Sequence, residues 1–129
     1  MARTGPAHSN RETGVTITVF GIRNCDTVKK ARSWLDAQGI AYRFHDFRAA
    51  GVDEAQIRRW AQAAGIDRLL NRAGTTFRQL PAEDKACLDD DWAVALMVQH
   101  PTLIKRPVLE RGDLVLVGFK PEVYAAALK

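Results

Sequence analysis

VTITVFGIRNCDTVKKARSWLDAQGIAYRFHDF, residues Val15 to Phe47, is the stretch on which the fold reading turns. Its first six residues, Val15 to Phe20, are β-branched and alternate in polarity, the pattern of a strand. From Asp26 to Gln38 the spacing predicts a helix, with Val28, Ala31, Trp34, Leu35 and Gln38 near one face and Gly39 as its stop. Ile40 to Phe47 alternates again and reads as a second strand. Strand, helix, strand in this compass is a βαβ unit, and its two strands should run parallel.

Downstream the pattern changes. Asp53 and Gln56 resemble a capping box, and Ile57, Trp60, Ala61 and Ala64 follow at helical spacing up to Gly65. A short helical turn is expected at Asp67 to Asn71, and Pro81 suits the first position of another short helix. Asp90 to Gln99 reads as a further helix with Trp92, Ala95, Leu96 and Gln99 on one side, ended by Pro101. Val108 to Glu110 and Leu114 to Gly118 are strands whose short connection, Arg111-Gly112-Asp113, makes an antiparallel hairpin. Pro121 to Leu128 closes as a helix. The order βαβ, helices, ββα is that of an α/β, thioredoxin-like domain: a mixed four-stranded sheet with an all-helical insert, about 52–100, between its halves. Residues 15–129 form this single domain. Residues 1–14 are polar and read as a disordered tail, an extended start or an added extension.

The chain has 129 residues, 47% hydrophobic and 26% charged, the profile of an ordinary globular domain. The longest apolar run, Ala93 to Val98, is too short to span a membrane, and the first fourteen residues lack the apolar core of a secretory signal. Two cysteines make no disulfide scaffold, so a cytoplasmic location is expected. The net charge of +4 favours anionic small molecules but falls short of the clustering a nucleic-acid binder needs, so no nucleic-acid partner is expected. No His/Cys spacing matches a metal site, and no phosphate loop or dinucleotide fingerprint is present.

The chemistry sits in Gly21 to Ala31, GIRNCDTVKKA. Cys25 stands where the first strand turns into the first helix. A helix start offers unpaired N–H groups and partial positive charge, and both favour a thiolate. Lys29 lies about one turn on and Arg23 two residues before, while Asp26 pulls the other way. The expected balance is a lowered thiol pKa. Val28 stands three after Cys25, where a dithiol redox site would carry its second cysteine, so any catalysis is monothiol or takes a partner thiol from elsewhere, for which Cys87 is the only internal candidate. Cys87, next to Asp89, Asp90 and Asp91, reads as a partly buried helix residue. In Leu103 to Leu109, LIKRPVL, a proline directly before a strand is a candidate for a cis peptide. In a thioredoxin-like fold Pro107 would lie beside the nucleophile, and Arg106 could then grip an anion with its planar fork.

Other features have simpler readings. His8 is in the tail, His45 is a solvated or hydrogen-bonded strand residue, and His100 sits at a helix C-terminus. Trp34, Trp60 and Trp92 read as core. Arg111-Gly112-Asp113 is a hairpin turn, and Gly74-Thr75-Thr76 a loop.

The segments GIRNCDTVKKARSWL, YRFHDFR, LLNRAGTTFRQL, ALM, LIKRPVL and GFK, in this order over residues 15–129, resemble the ArsC/Spx-type reductase superfamily, and within it the YffB-like branch of glutathione-dependent thiol reductases. The resemblance implies a thioredoxin-like fold with a helical insert and a nucleophilic cysteine at Cys25. Arsenate reductases of this type hold their oxyanion with three arginines. One matches Arg106; the others fall on Asn71, with Arg72 one place later, and on Lys120. This departure weighs against arsenate reduction, because lysine lacks the planar fork. The Spx transcription regulators generally carry two cysteines where this chain has Cys25 and Val28.

The expectation is therefore a reductase with Cys25 and Arg106 as catalytic residues and Asn24, Lys29, Arg72, Pro107 and Lys120 as substrate-binding residues. No cofactor is bound. Glutathione or another small thiol is the co-substrate, and a glutaredoxin is a candidate partner. The alternatives are arsenate reductase proper and a non-catalytic, Spx-like regulator docking a partner such as RNA polymerase.

Overall fold

The computed structural model describes residues 16–86 and 89–129. The tail with His8, Val15 at the start of the first expected strand, and Cys87 lie outside the described residues. Two compact units emerge, one from the residues up to Asp46 with Arg106–Lys129, the other Phe47–Lys105.

The first unit holds the sheet. Its elements are β1 (Ile17–Gly21), α1 (Asp26–Ala37), β2 (Arg43–Asp46), β3 (Val108–Arg111), β4 (Leu114–Val117) and α8 (Pro121–Leu128). Strand order is β2-β1-β3-β4. β1 pairs with β2 in parallel, Val19 opposite Phe44, and with β3 antiparallel, Val19 opposite Leu109. β3 and β4 form the hairpin, with Gly112 at φ +56 in the turn, a conformation glycine reaches at low cost. Alternate strand residues Ile17, Val19 and Leu109 meet Ala31 and Leu35 of α1 and Tyr124 of α8 in one buried cluster. Burying such a side chain contributes about 1.5–3 kcal/mol, so this cluster is what fixes the register of the sheet. This is the thioredoxin-like fold.

β2 is shorter than the alternation of Ile40 to Phe47 suggests. Phe47 opens a helical turn, α2 (Phe47–Ala50), and is itself buried. Ile40 and Tyr42 still pack on the sheet core from outside the strand.

The second unit carries α3 (Glu54–Ala64), α4 (Ile66–Leu69), α5 (Thr75–Arg78), α6 (Ala82–Ala86) and α7 (Asp90–Gln99), then a 3-10 turn at Pro101–Leu103. The helical unit thus extends a few residues beyond both ends of the segment read as helical, 52–100. At α3 the capping box is complete: Gln56 N–H donates to Asp53 Oδ1 at 2.8 Å, and Asp53 N–H to Gln56 Oε1 at 3.2 Å. Pro81 precedes α6 rather than occupying its first position.

α7 turns a different face inward from the one expected. Ala93, Val94, Leu96 and Met97 are buried, and Trp92 is 43% exposed. The helix is apolar nearly all round, so its sequence holds little periodicity from which to choose a face. Of the three tryptophans read as core, Trp60 is fully buried and Trp34 packs at the edge of the sheet cluster, but Trp92 does not belong there.

Candidate active site

β1 ends at Gly21, and the chain turns through Ile22-Arg23-Asn24 into α1, with Cys25 N–H donating to the Ile22 carbonyl at 3.2 Å. Gly21 is required here by space. A Cβ at this position would stand 2.7 Å from Cγ2 of Val28, so the first turn of α1 sits hard against the end of β1. Val28 itself is fully buried. The position where a second redox cysteine would stand is thus a core position, filled by a branched side chain that locks helix to strand.

Cys25 takes the N-cap position of α1 with extended backbone, φ −97 and ψ +125, and its carbonyl accepts from Lys29 N–H at 2.9 Å. It is a free cysteine, half-buried, with its sulfur facing the helix start. No side-chain capping bond of ordinary geometry closes the helix. Partial burial pushes the thiol pKa up, but the combined opposing effects prevail: the Val28 N–H, the hydrogen bond and positive charge of Arg106, and the Thr27 N–H together hold it below the usual thiol range. A thiolate so stabilised is the nucleophilic form.

Arg106 comes from the other end of the fold. It precedes β3 and is joined to Pro107 by a cis peptide bond. Pro107 is buried, Arg106 half-buried. The Pro107 carbonyl accepts from Gly118 N–H at 2.8 Å, which ties the Arg106-Pro107 loop to the segment after β4. Gly118 has φ +82, a conformation L side chains rarely adopt. Its carbonyl in turn accepts from the Tyr124 hydroxyl at 3.0 Å. Burial raises the Tyr124 pKa, so the phenol stays a neutral donor.

The other residues read as substrate-binding are placed as follows. Asn24 is exposed in the turn before Cys25. Lys29 and Lys120 are exposed, Lys120 as the N-cap of α8. Lys29 meets Cys25 through the main chain, and the charge that lowers the thiol pKa is that of Arg106 rather than of Lys29. A helical offset of four brings two Cα atoms to one face without bringing an ammonium to a sulfur. Arg23 is likewise engaged elsewhere, 4.0 Å from Asp46 and over the Phe44 ring. Arg72 belongs to the helical unit, where its guanidinium pairs with Asp67 Oδ1 at 3.1 Å. Beside it, Asn71 Oδ1 accepts from Ala73 N–H at 3.1 Å. His45 lies against the Phe20 ring at 5.0 Å.

Gly21, Gly118 and Tyr124 support the site without having been singled out beforehand. A glycine ending a strand before a helix is a signal of close approach. A tyrosine that hydrogen-bonds a carbonyl six residues back gives none in one sequence.

Among the described residues no three His, Cys, Asp or Glu side chains cluster to hold a metal ion. Among them, too, no helix is long and apolar enough to cross a membrane.

The described residues thus combine a thioredoxin-like sheet, a half-buried thiol of lowered pKa at the first helix start, and the arginine that lowers it, set before a cis-proline. Comparison with known proteins assigns the family. The ArsC family profile matches residues 20–127, and the chain belongs to the ArsC family. A solved YffB protein is 54% identical, covering 88% of this chain and 100% of its own, with a TM-score of 0.86. An arsenate reductase (ArsC) related protein from Brucella melitensis is 45% identical over 97% of this chain and 99% of its own, with a TM-score of 0.70. A protein from Haemophilus influenzae is 41% identical over 86% of this chain and 97% of its own. More distant relatives, at 21% to 26% identity, include proteins named global transcriptional regulator Spx. The chain is thus an ArsC-family, arsenate-reductase-like protein.

Proposed function

We propose that the protein is a cytoplasmic, thiol-dependent reductase that works through Cys25 alone, with glutathione or another small thiol as co-substrate. The observation that carries this reading is the half-exposed Cys25 thiol, held towards its thiolate by two main-chain N–H groups and the Arg106 guanidinium.

The sequence of steps balances without a second protein thiol. The Cys25 thiolate attacks one sulfur of a disulfide GS–SR, the S–S bond breaks, and RS⁻ leaves with the electron pair. Cys25 is left as a mixed disulfide with glutathione. A second glutathione thiolate attacks the glutathione sulfur, releasing glutathione disulfide and restoring the Cys25 thiolate. In sum, GS–SR and one glutathione thiolate give RS⁻ and glutathione disulfide: one S–S bond breaks and one forms in each step, the R sulfur leaves as the thiolate, and the incoming glutathione takes its place at the disulfide level. Arg106 stabilises the thiolate as attacker and again as leaving group, since a lower thiol pKa makes a better leaving group. The exposed amino groups of Lys29 and Lys120 supply positive charge for the carboxylates of glutathione. A glutaredoxin is a second candidate for the resolving step.

Incubation with glutathione disulfide followed by peptide-resolved mass spectrometry tests the proposal. The expected result is a glutathione adduct at Cys25, removed by added glutathione, and glutathione-dependent turnover of a small disulfide that Cys25→Ser abolishes. Turnover unchanged by Cys25→Ser overturns it; no adduct and no turnover in the wild type also overturn it and favour the regulator reading, in which the protein docks a partner such as RNA polymerase and the thiol is dispensable. Arsenate reduction is read by a glutathione- and glutaredoxin-coupled assay with arsenate. A weak rate that rises in Asn71→Arg with Lys120→Arg is the outcome that favours it.

A further inference from the structure

Arg106 acts on Cys25 from a loop, so where its guanidinium stands depends on what fixes the Arg106-Pro107 segment. Two hydrogen bonds link it to the C-terminal helix. Gly118 N–H donates to the Pro107 carbonyl at 2.8 Å, and the Tyr124 hydroxyl donates to the Gly118 carbonyl at 3.0 Å. One peptide segment is therefore clamped on both sides, at a residue whose φ of +82 favours glycine.

The phenol is aimed by packing. Tyr124 is 1% exposed. Its ring meets Trp34 edge-on at 5.8 Å and 86°, and Phe119 at 4.8 Å and 88°. Edge-to-face pairs of this kind restrain a ring's orientation as well as its depth. A hydroxyl fixed in this way costs little further entropy to place on an acceptor, and in low dielectric its hydrogen bond counts for more than at the surface.

We infer that Tyr124 is a positioning residue for the reacting pair: through Gly118 and Pro107 it holds Arg106 against the Cys25 sulfur. The inference rests on the reading of Cys25 and Arg106 as that pair. Tyr124 touches neither substrate nor sulfur; it fixes where the guanidinium can stand. The C-terminal helix thereby contributes to thiol reactivity as well as to the core.

The test is the pH profile of Cys25 alkylation in Tyr124→Phe, which removes the hydroxyl and keeps the ring. The expected result is a midpoint moved up in pH, an unchanged plateau rate at high pH, and a neutral-pH rate lower by roughly two- to fivefold, at most the scale of one neutral hydrogen bond. Leu128→Ala, in the same core cluster but outside the relay, serves as the comparison. It should lower the melting temperature and leave the midpoint in place. Gly118→Ala reads the same relay from its other end should Tyr124→Phe fail to fold. If the wild-type midpoint lies below the free-cysteine value and that of Tyr124→Phe coincides with it, the positioning role is wrong and the reductase reading stands. If Leu128→Ala moves the midpoint as far, the effect is general loosening and the inference falls. If the wild-type midpoint is not lowered at all, the reductase reading itself fails.

Discussion

The guanidinium of Arg106 bears on the thiol of Cys25 as both hydrogen-bond donor and positive charge, although the whole helical unit separates the two in sequence. Sheet topology makes this possible. β1, which delivers Cys25, and β3, which follows Arg106, are neighbours in the centre of the sheet, with Phe20 opposite Val108. The end of β1 and the start of β3 therefore lie side by side, and the loops at those ends meet.

Removing that donor should cost activity more than stability. Arg106→Ala is expected to raise the Cys25 pKa and to lower kcat/KM for a disulfide by roughly ten- to a hundredfold, the scale of one charge-assisted hydrogen bond. Arg106→Lys should recover only part, since lysine keeps the charge and loses the fork. Steady-state kinetics alongside alkylation profiles check this. A variant with wild-type kinetics contradicts it.

The lowered Cys25 pKa links thiol ionisation to folding. The folded thiol loses its proton at lower pH than the unfolded one, whose value is about 8.5. Between the two values the unfolded chain binds more protons, so stability rises with pH there. The contribution is complete above the unfolded value and is lost as pH falls through the folded one. Denaturation of wild type and Cys25→Ser at several pH values should show wild type gaining relative to the variant across that window. Serine is itself a good N-cap, which shifts the offset but not the slope.

Gly21→Ala should destabilise by about 1–3 kcal/mol, because its Cβ meets Val28 Cγ2 at 2.7 Å in a packed core. In Gly21→Ala with Val28→Ala that clash disappears, so the double variant should be more stable than the sum of the single effects. Chemical denaturation of the four proteins measures the coupling. Strict additivity would show that the close approach carries no strain.

In the helical unit, Asp53→Ala should cost about 1 kcal/mol through loss of the N-cap bond to Gln56. Its readout is denaturant midpoint, with the alkylation profile of Cys25 unchanged.

The legible part of this protein was the part written in short-range physics. β-branched alternation marked β1, Gly39 and Pro101 marked helix ends, and Pro121 to Leu128 is α8 to the residue. Asp53 with Gln56 showed as a capping box because both hydrogen bonds are local. Cys25 was legible from its place at a strand-to-helix turn, and Arg106 from the proline after it. What could not be read depends on how side chains are directed in space, which spacing along the chain does not fix. Arg72 is paired with Asp67 rather than left open, and Lys29 stands on the right helix without governing the sulfur. Trp92 faces outward because a helix apolar on every side leaves tertiary packing to choose. The Tyr124–Gly118–Pro107 relay needs the fold before its residues can be seen together.

The most direct test of the central claim is the rate of Cys25 alkylation by iodoacetamide as a function of pH, resolved at the Cys25 peptide so that Cys87 does not contribute. A site built to hold a thiolate gives a midpoint clearly below the free-cysteine value of about 8.5, and one that climbs when Arg106 is replaced by alanine. A midpoint at or above that value in the wild-type protein would contradict the account.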